Sequence, residues 1–314
     1  MKKLSIILSM TLLLATVFSG NNALCATAET QKIGEQGGVY SYDIDTGVIT
    51  YTPDSIEIST KSNRSSQQNT PAYVPEGLSI DPPSDIQPYT IFNENWQEIN
   101  PATGGQYRNT VYLDITTTNG SYRGTGFMIG PNTVATCGHC LYDTDYGSNP
   151  WAQSIEVIPA MANDSYPYGS AYAKGLTVSG NWSQKGDAKY DWGIIRLRTN
   201  IGDNVGWLGL RWQSNSYNGT NVNVNGYPGQ VGGRDKYTMY RANGSVTSSY
   251  TKMLYSTNIN NIGGMSGGPM YIYSSQYGYQ AIAFTRGENP NFNVYIRIDE
   301  GLFEKFSSFR DQRA

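Results

Sequence analysis

Apolar and polar positions alternate in short runs through most of the chain beyond residue 90, and turn residues separate the runs. The pattern predicts strands at Val111–Thr117, Gly124–Ile129, Thr133–Thr136, Ile155–Met161, Trp192–Leu197 and Val222–Tyr227. Further strands are predicted at Thr238–Val246, Met253–Ser256, Pro269–Tyr273, Gln280–Phe284 and Val294–Ile298. Asn-Gly, Pro-Gly and Gly-Gly pairs between them supply the positive-φ positions that hairpins need. So many short strands predict barrels or a sandwich. Only the end of the chain changes period. Asp299 can cap a helix, and Leu302, Phe303, Phe306 and Phe309 follow at helical spacing.

The first ninety residues differ. Lys2 and Lys3 precede an apolar run from Leu4 to Phe18, and Ala26-Thr27-Ala28 follows. This is the pattern of an export signal, removed after Ala28 or, alternatively, after Ala26. A lipoprotein reading of Cys25 is weaker, because Leu24 stands where a small residue is wanted. No other segment is long and apolar enough to cross a membrane. Residues 29–89 are acidic before Thr60 and Pro-rich at Pro71, Pro75, Pro82, Pro83 and Pro88. They are expected to be a pro-segment with a flexible, cleavable end near Tyr89-Thr90-Ile91; the alternative is a plain linker. Residues 90–314 are then the functional domain.

Composition narrows the chemistry. Charged residues are only 15% of the 314-residue chain, while there are 35 Gly and 25 Tyr, a balance common in extracellular β-proteins. Of 22 basic and 25 acidic residues, five and nine lie in 1–89, which leaves 17 and 16 in the nearly neutral remainder. No basic cluster marks a nucleic-acid partner. His139 is the only histidine, which excludes H-E-x-x-H and multi-His metal sites. No metal or other cofactor is expected, although loop Asp and Asn residues leave a structural calcium open.

Three segments carry candidate chemistry. Ser266 lies in Gly263-Gly264-Met265-Ser266-Gly267-Gly268-Pro269, where glycines permit a tight turn and leave room for a substrate carbonyl. Alone, that segment reads as an ordinary Gly-rich loop. His139 follows an apolar strand in Thr136-Cys137-Gly138-His139-Cys140, and a neutral imidazole is a suitable base for a serine hydroxyl. Asp191 opens the strand Trp192–Leu197, where burial beside an imidazole would fix its tautomer. The order His, Asp, Ser separates the set from α/β-hydrolases and subtilisins.

Cys137-Gly138-His139-Cys140 admits other readings. A thiol oxidoreductase needs a long helix after its first Cys, and the turn-rich Leu141–Pro150 is unlike one. A zinc site would lack a nearby fourth ligand. With Cys25 gone, Cys137 and Cys140 are instead expected to pair across the turn that carries His139.

Residues from about 107 to 309 resemble the bacterial glutamyl endopeptidase (V8-like) branch of the chymotrypsin-like serine proteases. The resemblance rests on Gly124–Val134 running into the His139 segment, Tyr190-Asp191-Trp192-Gly193, Gly226-Tyr227-Pro228-Gly229 and the Ser266 segment. It implies an all-β fold of two six-stranded antiparallel barrels with a C-terminal helix, and His139, Asp191 and Ser266 as a catalytic triad. It also implies an oxyanion hole from the backbone N–H groups of Gly264 and Ser266. Thr285 would lie near the buried Asp, and Gly287 on the strand that pairs with substrate. The family's pocket His falls on Phe284, and Asn261 and Arg286 complete the expected pocket. A secreted bacterial serine endopeptidase, monomeric and acting on peptides or proteins, is the expected function. An inactive protease-like binding module is the alternative.

Overall fold

Some predicted strands are buried throughout, as at Thr133–Thr136, and others alternate buried with half-buried positions, as at Met253–Ser256; the computed structural model places them in two main β-sheet layers. It describes residues 37–54, 65–79, 96–99, 102–145, 149–163, 165–231, 234–235 and 237–314. The signal segment and the expected cut near Tyr89 lie outside these residues.

Six antiparallel strands close the first barrel: Thr110–Thr117, Gly120–Met128, Thr133–Thr136, Ser154–Pro159, Ala171–Ser179 and Gly193–Leu197. Gly193–Leu197 closes it by pairing with Thr133–Thr136 on one edge and Ala171–Ser179 on the other. Its interior holds Val111, Leu113, Ile115, Met128, Val134, Ile155, Val157, Leu176 and Ile195, all inaccessible to solvent.

The second layer is a ten-stranded sheet rather than a closed six-stranded barrel. Its path runs Ser248–Ser249, Met253–Ser256, Phe292–Arg297, Gly278–Asn289, Pro269–Ser274, Asn221–Gly226, Met239–Ser245 and Trp96–Ile99. Gly209–Gln213 joins Gly278–Asn289 in parallel, an exception to the antiparallel expectation. The expected C-terminal helix is present at Glu300–Arg310. The Asp299 side chain accepts the Leu302 N–H, and Leu302, Phe303 and Phe306 are buried. The arrangement is the chymotrypsin-like fold.

The described part of the expected pro-segment is not a loose tail. Val39–Asp43 adds to Ala171–Ser179 and pairs with Ile49–Thr52. Tyr42 stacks on Trp151 with ring centroids 5.3 Å apart. Gln67–Asn69 pairs with Gly209–Gln213, and Tyr73 stacks on Trp207 at 4.1 Å. The buried Gln280 amide donates to Asn69 Oδ1 (3.1 Å) and the Thr70 carbonyl (3.2 Å). These segments add strands to the sheets, and no hydrogen bond, ion pair or ring contact joins them to His139 or Ser266 among the described residues.

Candidate active site

His139 sits in the short 3₁₀ turn Gly138–Cys140 that follows the Thr133–Thr136 strand. Gly138 is needed there, because a Cβ would stand 2.7 Å from Trp182. Asp191 lies just before the strand Gly193–Leu197, which pairs with Thr133–Thr136, so one strand pair brings the two residues together. Asp191 is completely buried. Its Oδ1 accepts the His139 backbone N–H at 2.8 Å, and its Oδ2 meets His139 Nδ1 at 2.8 Å. A carboxylate only accepts, so Nδ1 carries the proton and Nε2 is left basic. Burial favours the neutral ring, but the Asp191 carboxylate opposes and outweighs it; His139 is held well above its ordinary 6.5.

The Ser266 turn packs against the His139 turn. Cys140 Sγ lies 3.9 Å from the Ser266 carbonyl, and the Thr125 N–H donates to that carbonyl at 2.8 Å. Ser266 is half-buried, with its Oγ 3.5 Å from the Arg286 carbonyl.

Gly264 has φ +96, open to glycine and strained for other residues. A trans peptide directs its C=O and N–H to opposite sides. The Gly263 carbonyl accepts the Gly229 N–H at 2.7 Å, and the Met265 carbonyl accepts the Gly268 N–H at 2.9 Å. The N–H groups of Gly264 and Ser266 therefore point away from those partners, and neither donates within the described residues. Two free donors beside a serine are the means to stabilise an oxyanion.

The expected pocket residues divide. Asn261 is nearly buried; its Nδ2 meets the Gly287 carbonyl at 3.4 Å, and its Oδ1 has no partner among the described residues. Phe284 is different: it has no exposed surface, and its ring packs between Phe127 (6.2 Å) and Phe306 (6.1 Å) in the core. It is a core residue here rather than a cleft wall. Thr285 Oγ1 is buried without a partner among the described residues and makes no hydrogen bond to Asp191. Arg286 stands instead at a register shift between Thr285 and Gly287. Such a bulge re-aims a side chain. The guanidinium turns toward Asp191, with Nε 3.4 Å from its Oδ2.

Cys137 and Cys140 are both free and buried, so the expected disulfide is not formed. Each thiol has its own acceptor: Cys137 Sγ donates to the Thr285 carbonyl at 3.0 Å, and Cys140 Sγ faces the Ser266 carbonyl. Burial pushes the Cys137 thiol well up, with the Asp191 charge adding to the effect. That is the opposite of an activated nucleophilic cysteine.

Sequence reasoning missed Thr125 and Trp182 as parts of this site. Thr125 stood within the Gly124-Thr125-Gly126 motif, but nothing in its type or spacing announced contacts to the Ser266 turn.

The trypsin family model matches residues 97–302. The chain belongs to the trypsin family. It is 33% identical over 234 residues to the "Extracellular metalloprotease" of Bacillus subtilis, covering 72% of each chain. It is 35% identical over 195 residues to the "Glutamyl endopeptidase" of Bacillus licheniformis, covering 60% of this chain and 59% of the relative. The solved structure of a Glu endopeptidase in complex with MPD superposes with TM-score 0.60 and 27% identity, over 70% of this chain and 97% of the other. This trypsin-family member is thus a V8-like serine endopeptidase with peptide or protein substrates.

Proposed function

We propose that the chain is the precursor of a secreted endopeptidase that cleaves through His139, Asp191 and Ser266. The observation that carries the reading is the doubly bonded, buried Asp191, which leaves His139 Nε2 basic beside the Ser266 turn. Ser266 Oγ attacks the peptide carbonyl while His139 takes its proton. The Gly264 and Ser266 N–H groups receive the oxyanion. His139 then protonates the leaving amine, and water hydrolyses the acyl-enzyme with His139 again as base. Residues 1–28 act as the export signal and 29–89 as the pro-segment, and the released enzyme is a monomer. The described pro-segment strands pack away from the catalytic residues, so latency would arise from the connection to residue 90 rather than from a plugged cleft.

The names of the relatives raise two questions. A glutamyl preference would rest on Asn261, whose buried Oδ1 is unpaired, or on Arg286, whose charge already faces Asp191. A metal centre fits poorly. The side chains close enough among the described residues are Cys137, His139 and Asp191, with ligand atoms within 4.8 Å. His139 Nδ1 is already bonded to Asp191, and the Cys137 thiol is held protonated by burial.

The test is cleavage of a diverse peptide library by the trimmed protein beside Ser266→Ala, read by mass spectrometry. Cutting by the wild type alone supports the triad, and the residue before each cut identifies the preference. Equal cutting by both proteins would refute Ser266 as nucleophile. No cutting by either would favour the binding-module alternative.

A further inference from the structure

We propose that Thr125 is a positioning residue whose hydroxyl sets the orientation of the oxyanion donors. The inference rests on the reading of Ser266 as nucleophile with the Gly264 and Ser266 N–H groups as those donors. Thr125 lies on the Gly120–Met128 strand of the first barrel, whereas the turn it holds belongs to the second sheet. Its side chain is completely buried.

Thr125 grips the turn at two carbonyls. Its backbone N–H donates to the Ser266 carbonyl at 2.8 Å, and its Oγ1 donates to the Gly264 carbonyl at 2.8 Å. The direction of the second bond follows from proton count. Oγ1 also accepts the Tyr227 backbone N–H at 2.9 Å. A hydroxyl has one proton, and a carbonyl can only accept, so that proton goes to Gly264. The bonds fall on alternate peptide units. The unit from Gly264 to Met265 is held by the hydroxyl, and the unit from Ser266 to Gly267 by the Thr125 N–H. Between them lies the unit that bears the Ser266 N–H, and just before them the one that bears the Gly264 N–H. Fixing the Gly264–Met265 plane restrains the rotation of both neighbours, because each donor unit shares a Cα with it.

The hydroxyl also ties the turn to the segment that aims its other side. Tyr227 N–H binds Oγ1, and two residues later the Gly229 N–H holds the Gly263 carbonyl at 2.7 Å. The packing there is tight: a Cβ on Gly264 would lie 2.5 Å from the Tyr227 carbonyl. Thr125 thus joins the first barrel, the Tyr227–Gly229 segment and the nucleophile turn through one oxygen atom. Valine has the same shape and lacks that atom.

The experiment compares wild type, Thr125→Val, Thr125→Ser and Ser266→Ala on the library peptide that the wild type cuts best. Each is also titrated with the peptide boronic acid of that sequence, which forms a tetrahedral adduct with the serine, and with the carboxylic acid product. Removal of a whole oxyanion donor typically costs about 10²–10³ in kcat, so its misalignment in Thr125→Val is expected to cost roughly 10- to 100-fold. Boronate affinity should fall by the same factor, while KM and product affinity change by less than about threefold. Thr125→Ser should restore kcat and boronate affinity, with a lower melting temperature from the lost methyl.

Thr125→Val with unchanged kcat would overturn the proposal. So would equal weakening of boronate and product, the mark of a general packing defect. If Thr125→Val does not fold, Thr125→Cys replaces it: the weakly donating thiol should lose kcat where Ser does not. Equal kcat for Ser and Cys would overturn the proposal. Full activity of Ser266→Ala would overturn the underlying reading, and the proposal with it. A dead Ser266→Ala beside an unimpaired Thr125→Val would overturn the proposal alone.

Discussion

Arg286 Nε stands 3.4 Å from Asp191 Oδ2, the same oxygen that meets His139 Nδ1. Three charges, or potential charges, therefore meet at one carboxylate. Asp191 favours the protonated imidazole, and the guanidinium beside it works against that proton.

The wild-type pH profile follows from this balance. In the proposed mechanism His139 is the base and must be neutral to act, and it is held above its ordinary 6.5. Activity is therefore lost as pH falls through that raised value, and the acid limb of kcat/KM should have its midpoint above 6.5. A kcat/KM series across the neutral range checks it.

Arg286→Gln removes the opposing positive charge. The groups that face the His139 ring, Asp191 and Cys140, remain. The acid limb should then move to higher pH than in the wild type. An unmoved midpoint would mean that solvent screens Arg286 from His139, since its side chain is 32% exposed, and a lowered one would overturn the balance described.

Asp191→Asn presents an amide to a ring that requires an acceptor at Nδ1. One oxygen can still take the His139 backbone N–H, but the ring turns to the wrong tautomer. A fall in kcat of about 10⁴-fold is expected, as tautomer loss gives in triads of this kind. Steady-state kinetics with a folded, correctly trimmed variant is the measurement.

Phe284→Ala separates a core role from a pocket role. The ring is fully buried between Phe127 and Phe306. Its removal should cost about 3–5 kcal/mol of stability. The milder Phe284→Leu should leave the residue preference of cleavage unchanged. Denaturant unfolding reads the first, and library cleavage the second.

Tyr73→Ala tests the packing of the expected pro-segment. Tyr73 stacks on Trp207 at 4.1 Å and is 38% exposed. In a Ser266→Ala background, chosen to remove the proposed nucleophile, loss of the ring pair should destabilise the full chain by about 0.5–1.5 kcal/mol. A chain that begins at residue 90 lacks Tyr73, so its stability sets the reference.

Strands with β-branched or aromatic residues at alternate positions were legible in the sequence; Thr133–Thr136 and Met253–Ser256 have the predicted bounds. Ala171–Ser179, which Gly193–Leu197 joins to close the first barrel, was not. It reads Ala-Tyr-Ala-Lys-Gly-Leu-Thr-Val-Ser, and Ala, Lys and Gly are poor strand formers whose pairing here is decided by neighbours on both edges. Gly209–Gln213 is likewise held by partners distant in sequence.

At the site, the segments bearing His139, Asp191 and Ser266 were legible because each has a local pattern and they stand in a telling order. The surrounding contacts were not. The turn of Arg286 toward Asp191 depends on a bulge, and the burial of Phe284 depends on Phe127 and Phe306, far away in sequence. The separate thiols of Cys137 and Cys140 depend on carbonyls that only folding brings near.

The Ala171–Ser179 strand is shared in an unequal way. Its Gly175–Val178 stretch pairs on one edge with Gly193–Arg196 and on the other with Tyr40–Asp43. The first partner is a fixed wall of the barrel, and the second lies in the segment expected to be cut away. Departure of residues 37–54 would turn an internal seam into an external one. A row of backbone donors and acceptors, until then matched within the chain, would face solvent, the condition in which sheet proteins adhere edge to edge. Shedding the segment would thus change the molecule's sociability as well as its length.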